Sequence, residues 1–270
     1  RLTERLVTTR KSEKVPATGF VNGDKLLGSE GTPEKWREDL LRAWLEAGLD
    51  LGNHTFSHAV LHQVTEERFE QDVVKGEEPL RALLAEKGKT LKYFRYPCLQ
   101  TGRDEAAKAA VRQFLHKRGY ANAPVTIDNS EWIFARAYAN CLKSGDVPMA
   151  EKVRSAYLPY MESKVGYFER QSRALFGREV RQVLLLHANA LNADALPGLL
   201  SMLERRGYAF VTLDRALQDE AYTLPDGYYG PAGISWLHRW CFALGGKYLV
   251  LPGEERCPSW VMELAGVDSE

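Results

Sequence analysis

Short apolar runs alternate with helical periodicities along most of this chain, and that alternation limits the folds open to it. The runs are Val15–Val21, Gly48–Leu51, Leu91–Tyr96, Tyr120–Ile127, Val180–Leu186 and Tyr208–Leu213. Between them, apolar residues recur at helical spacing. In one stretch Pro33 and Glu34 suit a first helical turn, Trp36, Leu40, Leu41, Trp44 and Leu45 follow, and Gly48 closes. Thr65-Glu66-Glu67 reads as an N-cap with an acidic first turn, ahead of a helix that carries Pro79. Further helices are predicted over Arg1–Lys14, Asp104–Arg118, Asp146–Phe176 and Asp194–Arg206. Val183 to Leu186, four consecutive apolar residues, reads as the clearest buried strand. Strands alternating with helices imply parallel strands joined by right-handed crossovers. No glycine-rich phosphate loop follows any strand, so a barrel is expected rather than a nucleotide-binding sheet. In a barrel, chemistry collects at the carboxyl ends of the strands.

The first of those ends to carry chemistry is Gly52-Asn53-His54-Thr55-Phe56-Ser57-His58. Neutral imidazoles suit zinc and other borderline divalent cations. A spacing of four puts both rings on one side if the segment forms a single helical turn. Taken alone, such a pair is a weak signal and is read more readily as two solvated or hydrogen-bonded histidines. Other strand ends add Phe94-Arg95-Tyr96-Pro97, Asp128-Asn129-Ser130-Glu131-Trp132 and Leu186-His187. His62, His116 and His238 lie at a helix start, in a helix and in the tail, and are not expected to be ligands.

Lys+Arg and Asp+Glu both number 36, so nothing in the charge argues for nucleic acid or an anionic membrane surface. No run of about 18 apolar residues is present to span a membrane. The four cysteines are too scattered for a disulfide framework; Cys241 and Cys257 are read as a pair or as two buried thiols. Residues 221–270 lack the alternation and are expected to form an extension, packed on a barrel of residues 1–220 or on a partner chain, a second copy included. Its Tyr228-Tyr229 and Trp236–Trp240 stretches are read either as an aromatic platform for sugar or as buried packing.

From about Val15 to Leu217 these residues resemble the polysaccharide deacetylase family (the NodB homology domain, carbohydrate esterase family four). The histidine stretch is close to the family's His-x-x-Ser-His. Arg95-Tyr96-Pro97 resembles its Arg-x-Pro, and Leu186-His187 its Leu-His strand. Asp128 to Trp132 resembles its Asp-x-x-Asp-Trp, with Glu131 at the second Asp. The resemblance implies an α/β fold, a distorted (β/α) barrel, and metal-dependent removal of N- or O-linked acetyl groups from a glycan. It implies His54 and His58 as ligands of a divalent metal, zinc first, with cobalt, nickel or manganese as alternatives. It implies His187 as the general acid, Arg95 as the residue orienting the base, and Asp128 as ordering the site. Trp132, Tyr96 and Pro97 would line the substrate.

The family's first motif, an Asp-Asp that supplies the base and the third ligand, does not occur before Val15. Because the chain begins at Arg1 rather than Met, the motif and the first barrel strand are expected upstream of it. Asp50 stands where the family has an acid that is not a ligand. Two other readings stay open: hydrolysis of a different carbon–nitrogen bond, which Cys98 after the Arg-x-Pro motif keeps in view, or glycan binding without catalysis. Relatives acting on polymers imply a periplasmic or secreted location.

Overall fold

The computed structural model describes residues 2–270, with the side chains of residues 10–12 outside the description, as is Arg1 at the head of the first predicted helix. In chain order the elements are α1 (Leu2–Ser12), β1 (Thr18–Val21), α2 (Lys35–Glu46), β2 (Asp50–Asn53), α3 (Glu66–Ala85), β3 (Tyr93–Phe94), α4 (Glu105–Lys117), β4 (Ala121–Asn122), α5 (Glu131–Ser144), α6 (Val147–Phe176), α7 (Ala190–Arg205), α8 (Leu213–Ala216), α9 (Trp236–Leu244) and α10 (Ser259–Ala265). The chain forms two compact units. One comprises residues 16–124 and 227–234; the other comprises 1–15, 125–226 and 235–270. The predicted C-terminal extension therefore contributes to both.

The 16–124 unit is α/β, as the alternation predicts. Its strands are all parallel in the order β1-β2-β3-β4. In register, Val21 lies opposite Asn53 and Asn53 opposite Phe94, so the ends of β1, β2 and β3 stand side by side. Thr65 caps α3 as expected, its hydroxyl accepting from Arg68 N, and Asp104 caps α4 from Ala107 N. Pro79 stays inside one continuous helix. The core is aromatic: Phe69 and Tyr96 stack at 6.0 Å, while Phe94 meets Tyr96 edge-on at 5.1 Å and Tyr120 at 5.7 Å.

The other unit is mainly helical. No pattern in the sequence analysis predicts α5, which begins directly at Glu131 and buries Ile133, Phe134 and Ala137. The predicted strand Val180–Leu186 is not a strand. One parallel bridge joins Ile127 to Leu184, and only Val180 of the run is buried. Its backbone is engaged irregularly. Val183 O accepts from both Thr126 N and Ile127 N, Val183 N donates to Thr126 Oγ1, and Arg181 N donates to Asp219 Oδ2. A regular ladder cannot form around those bonds. Tyr208–Leu213 is likewise not a strand: Tyr208 N closes the end of α7 on Leu203 O, and Thr212 caps α8. Trp236 and Trp240 are 5% and 0% exposed, with Trp240 against Phe176 and Tyr222, so these two indoles are packing rather than platform. Cys241 and Cys257 are both buried free thiols. No helix among the described residues is long and apolar enough to cross a membrane.

Phe69 has no exposed surface and touches both Phe94 and Tyr96. Phe69→Ala is expected to cost about 3–5 kcal/mol, read as a fall in the urea unfolding midpoint.

Candidate active site

Candidate residues occur in both units. In the 16–124 unit the chain leaves β2 at Asn53 and enters a loop without helical structure. The single helical turn on which the spacing argument was conditional does not form. Two left-handed residues curl the loop instead, Thr55 at φ 66° and His58 at φ 59°. The result for the rings is the one the spacing suggested by another route. The imidazoles of His54 and His58 lie 4.9 Å apart between centroids, inclined at 74°. His54 Nδ1 bonds Arg95 O at 2.7 Å, and Asn22 Nδ2 donates to His54 O at 2.6 Å. A ring whose Nδ1 is held by a carbonyl presents Nε2 outward in the tautomer that ligates metals.

The donor chemistry of two neutral imidazoles fits a divalent cation. Two imidazoles on one tetrahedral zinc, through bonds of about 2.0–2.1 Å, bring their ring centres to about 5 Å. Among the described residues, no group of three or more His, Cys, Asp or Glu side chains is placed to share an ion. His54 and His58 are therefore two candidate donors without a third among the described residues.

Arg95 follows β3 and is 7% exposed. Its Nε donates to Ala123 O at 3.1 Å, and its guanidinium lies 4.1 Å from the Phe20 ring centre, a cation–π contact. Tyr96 is 5% exposed within the aromatic core, and Pro97 beside it is also buried and opens a short turn. Neither presents an open face to solvent. Cys98, next in the chain, is exposed at φ 50°.

In the other unit His187 follows the irregular run 180–186. Its Nδ1 lies 2.8 Å from Glu131 Oε2, and its backbone N–H donates to the same oxygen at 3.1 Å. Glu131 is 1% exposed, whereas the His187 side chain is 54% exposed. Asn189 Nδ2 donates to the other Glu131 oxygen, and Asn192 Nδ2 donates to His187 O at 2.8 Å. A carboxylate only accepts, so Nδ1 carries the proton and Nε2 faces outward. This buried-acid, exposed-imidazole pair is suited to proton transfer. Glu131 entered the sequence analysis only as a departure from the motif. The signal was its place in that motif, since an exposed imidazole needs an orienting acceptor. Trp132, next in α5, is 40% exposed. Asp128 is half-buried, its Oδ1 accepting from Asn129 N at 2.9 Å.

Comparison with known proteins follows the same line. Residues 1–121 match the polysaccharide deacetylase family model. None of the curated proteins compared matches the chain. Among solved structures, one similar chain is a mutant of a family 4 carbohydrate esterase pseudoenzyme from Bacillus anthracis with restored enzymatic activity. It has a TM-score of 0.53 and 16% identity, over 80% of this chain and 62% of that one, so the present chain spans less than two thirds of that protein's length. A family 4 carbohydrate esterase from Streptomyces lividans in complex with acetate has a TM-score of 0.51 and 18% identity, over 80% and 88% of the two chains. A family 4 acetyl xylan esterase from Clostridium thermocellum in complex with a cobalt ion has a TM-score of 0.52 and 18% identity, over 80% and 83%. At these identities the likeness is one of fold. The α/β class expected from the alternation is the class observed; the sheet of the described residues is an open run of four strands.

Burial pushes the Asp128 carboxyl up to about 6, against the pull of Lys164 and the bond from Asn129. The folded state therefore holds this proton more tightly than the unfolded chain, where an aspartate titrates near about 3.9. The stability so gained is fully present below the unfolded value and is lost as pH rises through about 6. Asp128→Asn does not titrate. Urea unfolding across this window is expected to show a decline for the wild type that the variant lacks.

Proposed function

We propose that this protein is a metal-dependent hydrolase that removes N- or O-linked acetyl groups from a polysaccharide or oligosaccharide. The observation that carries the reading is the pair of imidazoles 4.9 Å apart, with His54 oriented by the Arg95 carbonyl, inside the family-matched part of the chain. His54 and His58 hold the divalent cation, zinc by preference among metals that accept imidazole. When bound, such a cation supplies Lewis acidity toward the acetyl carbonyl and toward water.

Residues of this chain take the following further roles. In its doubly protonated form His187 gives the Nε2 proton to the departing amine or alcohol, while Glu131 keeps its Nδ1–H engaged and the ring oriented. Trp132 offers an exposed apolar face for the acetyl methyl. Arg95 orients the carboxylate base that the resemblance implies, and Asp128 orders the turn that leads to Glu131. Tyr96 and Pro97 are buried, so their part is to back the loop after Arg95 rather than to touch sugar. A glycan polymer as substrate assigns the protein to the periplasm or the exterior.

The experiment is acetate release from acetylated chito-oligosaccharides and acetylated xylan, with zinc or cobalt added. Release is expected to depend on metal, to vanish in His58→Ala, and to fall about 10²–10⁴-fold in His187→Ala. Glu131→Gln is expected to lower kcat with little change in KM. No acetate while metal still binds would move the reading to another amide substrate. No acetate and no metal would leave a glycan-binding relative without catalysis.

A further inference from the structure

The loop that joins the two histidines has no regular structure of its own, yet it holds Thr55 and His58 in the left-handed region. Residues with a side chain keep that conformation only where their surroundings over-determine it. Here the surroundings come from one face of α3. Phe56 N donates to Asp72 O at 2.9 Å. Ser57 N donates to Asp72 Oδ2 at 2.9 Å, and Ser57 Oγ donates to Asp72 Oδ1 at 2.9 Å. One residue of the helix thus receives three bonds from two consecutive loop residues. Asp72 is 3% exposed, and a carboxylate so buried requires such donors.

One helical turn on, Gly76 lies on the same face. A Cβ there would stand 2.8 Å from Asn53 Oδ1, 2.9 Å from Thr55 C and 3.1 Å from Phe56 N. Glycine is what lets the loop lie against the helix. On its other side the loop closes on itself, Ala59 N donating to Thr55 Oγ1 at 3.1 Å. The shape that carries His58 toward His54 is thereby set from outside the histidine motif.

We propose that Asp72 is the positioning residue of the imidazole pair: its carboxylate clamps Ser57 and so sets the turn that brings His58 beside His54. The proposal deepens the reading above and rests on that pair as the cation site. Asp72→Asn is nearly isosteric and keeps only one of the two acceptors facing Ser57. Ser57→Ala, at an exposed position, removes only the hydroxyl bond and does not put folding at risk.

The test is cobalt binding by the full chain, followed by titration and by the visible spectrum, for the wild type, His58→Ala, Asp72→Asn and Ser57→Ala. Residues that orient metal ligands typically change affinity about 10–100-fold when replaced. Asp72→Asn is expected to bind cobalt weaker by that factor with an altered spectrum, Ser57→Ala to fall between it and the wild type, and His58→Ala to bind least. Wild-type affinity and an unchanged spectrum in both loop variants would overturn the proposal. A wild type that binds no cobalt would sink the metal reading instead. Metal-free NMR then decides the positioning role: faster exchange of the Ser57 amide with shifted His58 ring resonances in Asp72→Asn upholds it, and unchanged His58 resonances overturn it.

Discussion

The 16–124 unit depends on one buried amide. Asn53, the last residue of β2, has no exposed surface, so each of its polar atoms must find a partner inside the protein. It does so in three directions. Nδ2 donates to Val73 O in α3 at 3.0 Å and to the Tyr120 hydroxyl at 2.7 Å, while Oδ1 accepts from Thr55 N at 2.8 Å. The strand end, the helix behind it, the segment that leads to β4 and the first turn of the histidine loop are joined through one side chain. Burial pushes the Tyr120 phenol well above its usual range, so that hydroxyl stays a neutral partner. A fully satisfied polar network of this kind favours one arrangement over its neighbours, because any slip leaves a buried donor or acceptor unpaired.

The same logic governs the other unit. Glu131 is an almost wholly buried carboxylate at the first position of α5, next to the helix's positive end. Its oxygens are taken up by the His187 ring, the His187 amide and the Asn189 side chain. Asn189 also caps α7, and Asn192 in the first turn of that helix holds the His187 carbonyl while Tyr157 holds Asn192. The exposed imidazole is thus anchored from both sides by helix ends. An irregular approach through residues 180–186 becomes an asset, since a regular strand would not deliver both the amide and the ring of His187 to one oxygen.

Several local features were legible in the sequence because they depend on local chemistry. Thr65 caps α3 where the pattern puts it, α4 starts within a residue of its predicted start, and α2 to α4 alternate with β1 to β4 as the apolar runs indicate. The histidine pair was legible as a motif. The strands were read too long: Leu91–Tyr96 contains only Tyr93–Phe94 as strand. Apolar content reports burial, whereas a ladder needs a neighbour in register along its whole length. Val180–Leu186 shows the point most clearly, since its apolar run meets side-chain acceptors and donors where a strand partner was expected.

By itself, then, with the candidate ligands and acid named from the family resemblance, the amino-acid order determined the α/β class and the starts of α2, α3 and α4. These follow from periodicity, capping and side-chain chemistry, all of which act within a few residues. Tertiary structure alone decided what holds those groups. Asp72 reaches Ser57 across 15 positions, Glu131 reaches His187 across 56, and Asn53 reaches Tyr120 across 67. No periodic signal marks such pairs. A buried polar side chain declares its partner only when packing removes water and leaves it a single donor or acceptor within reach.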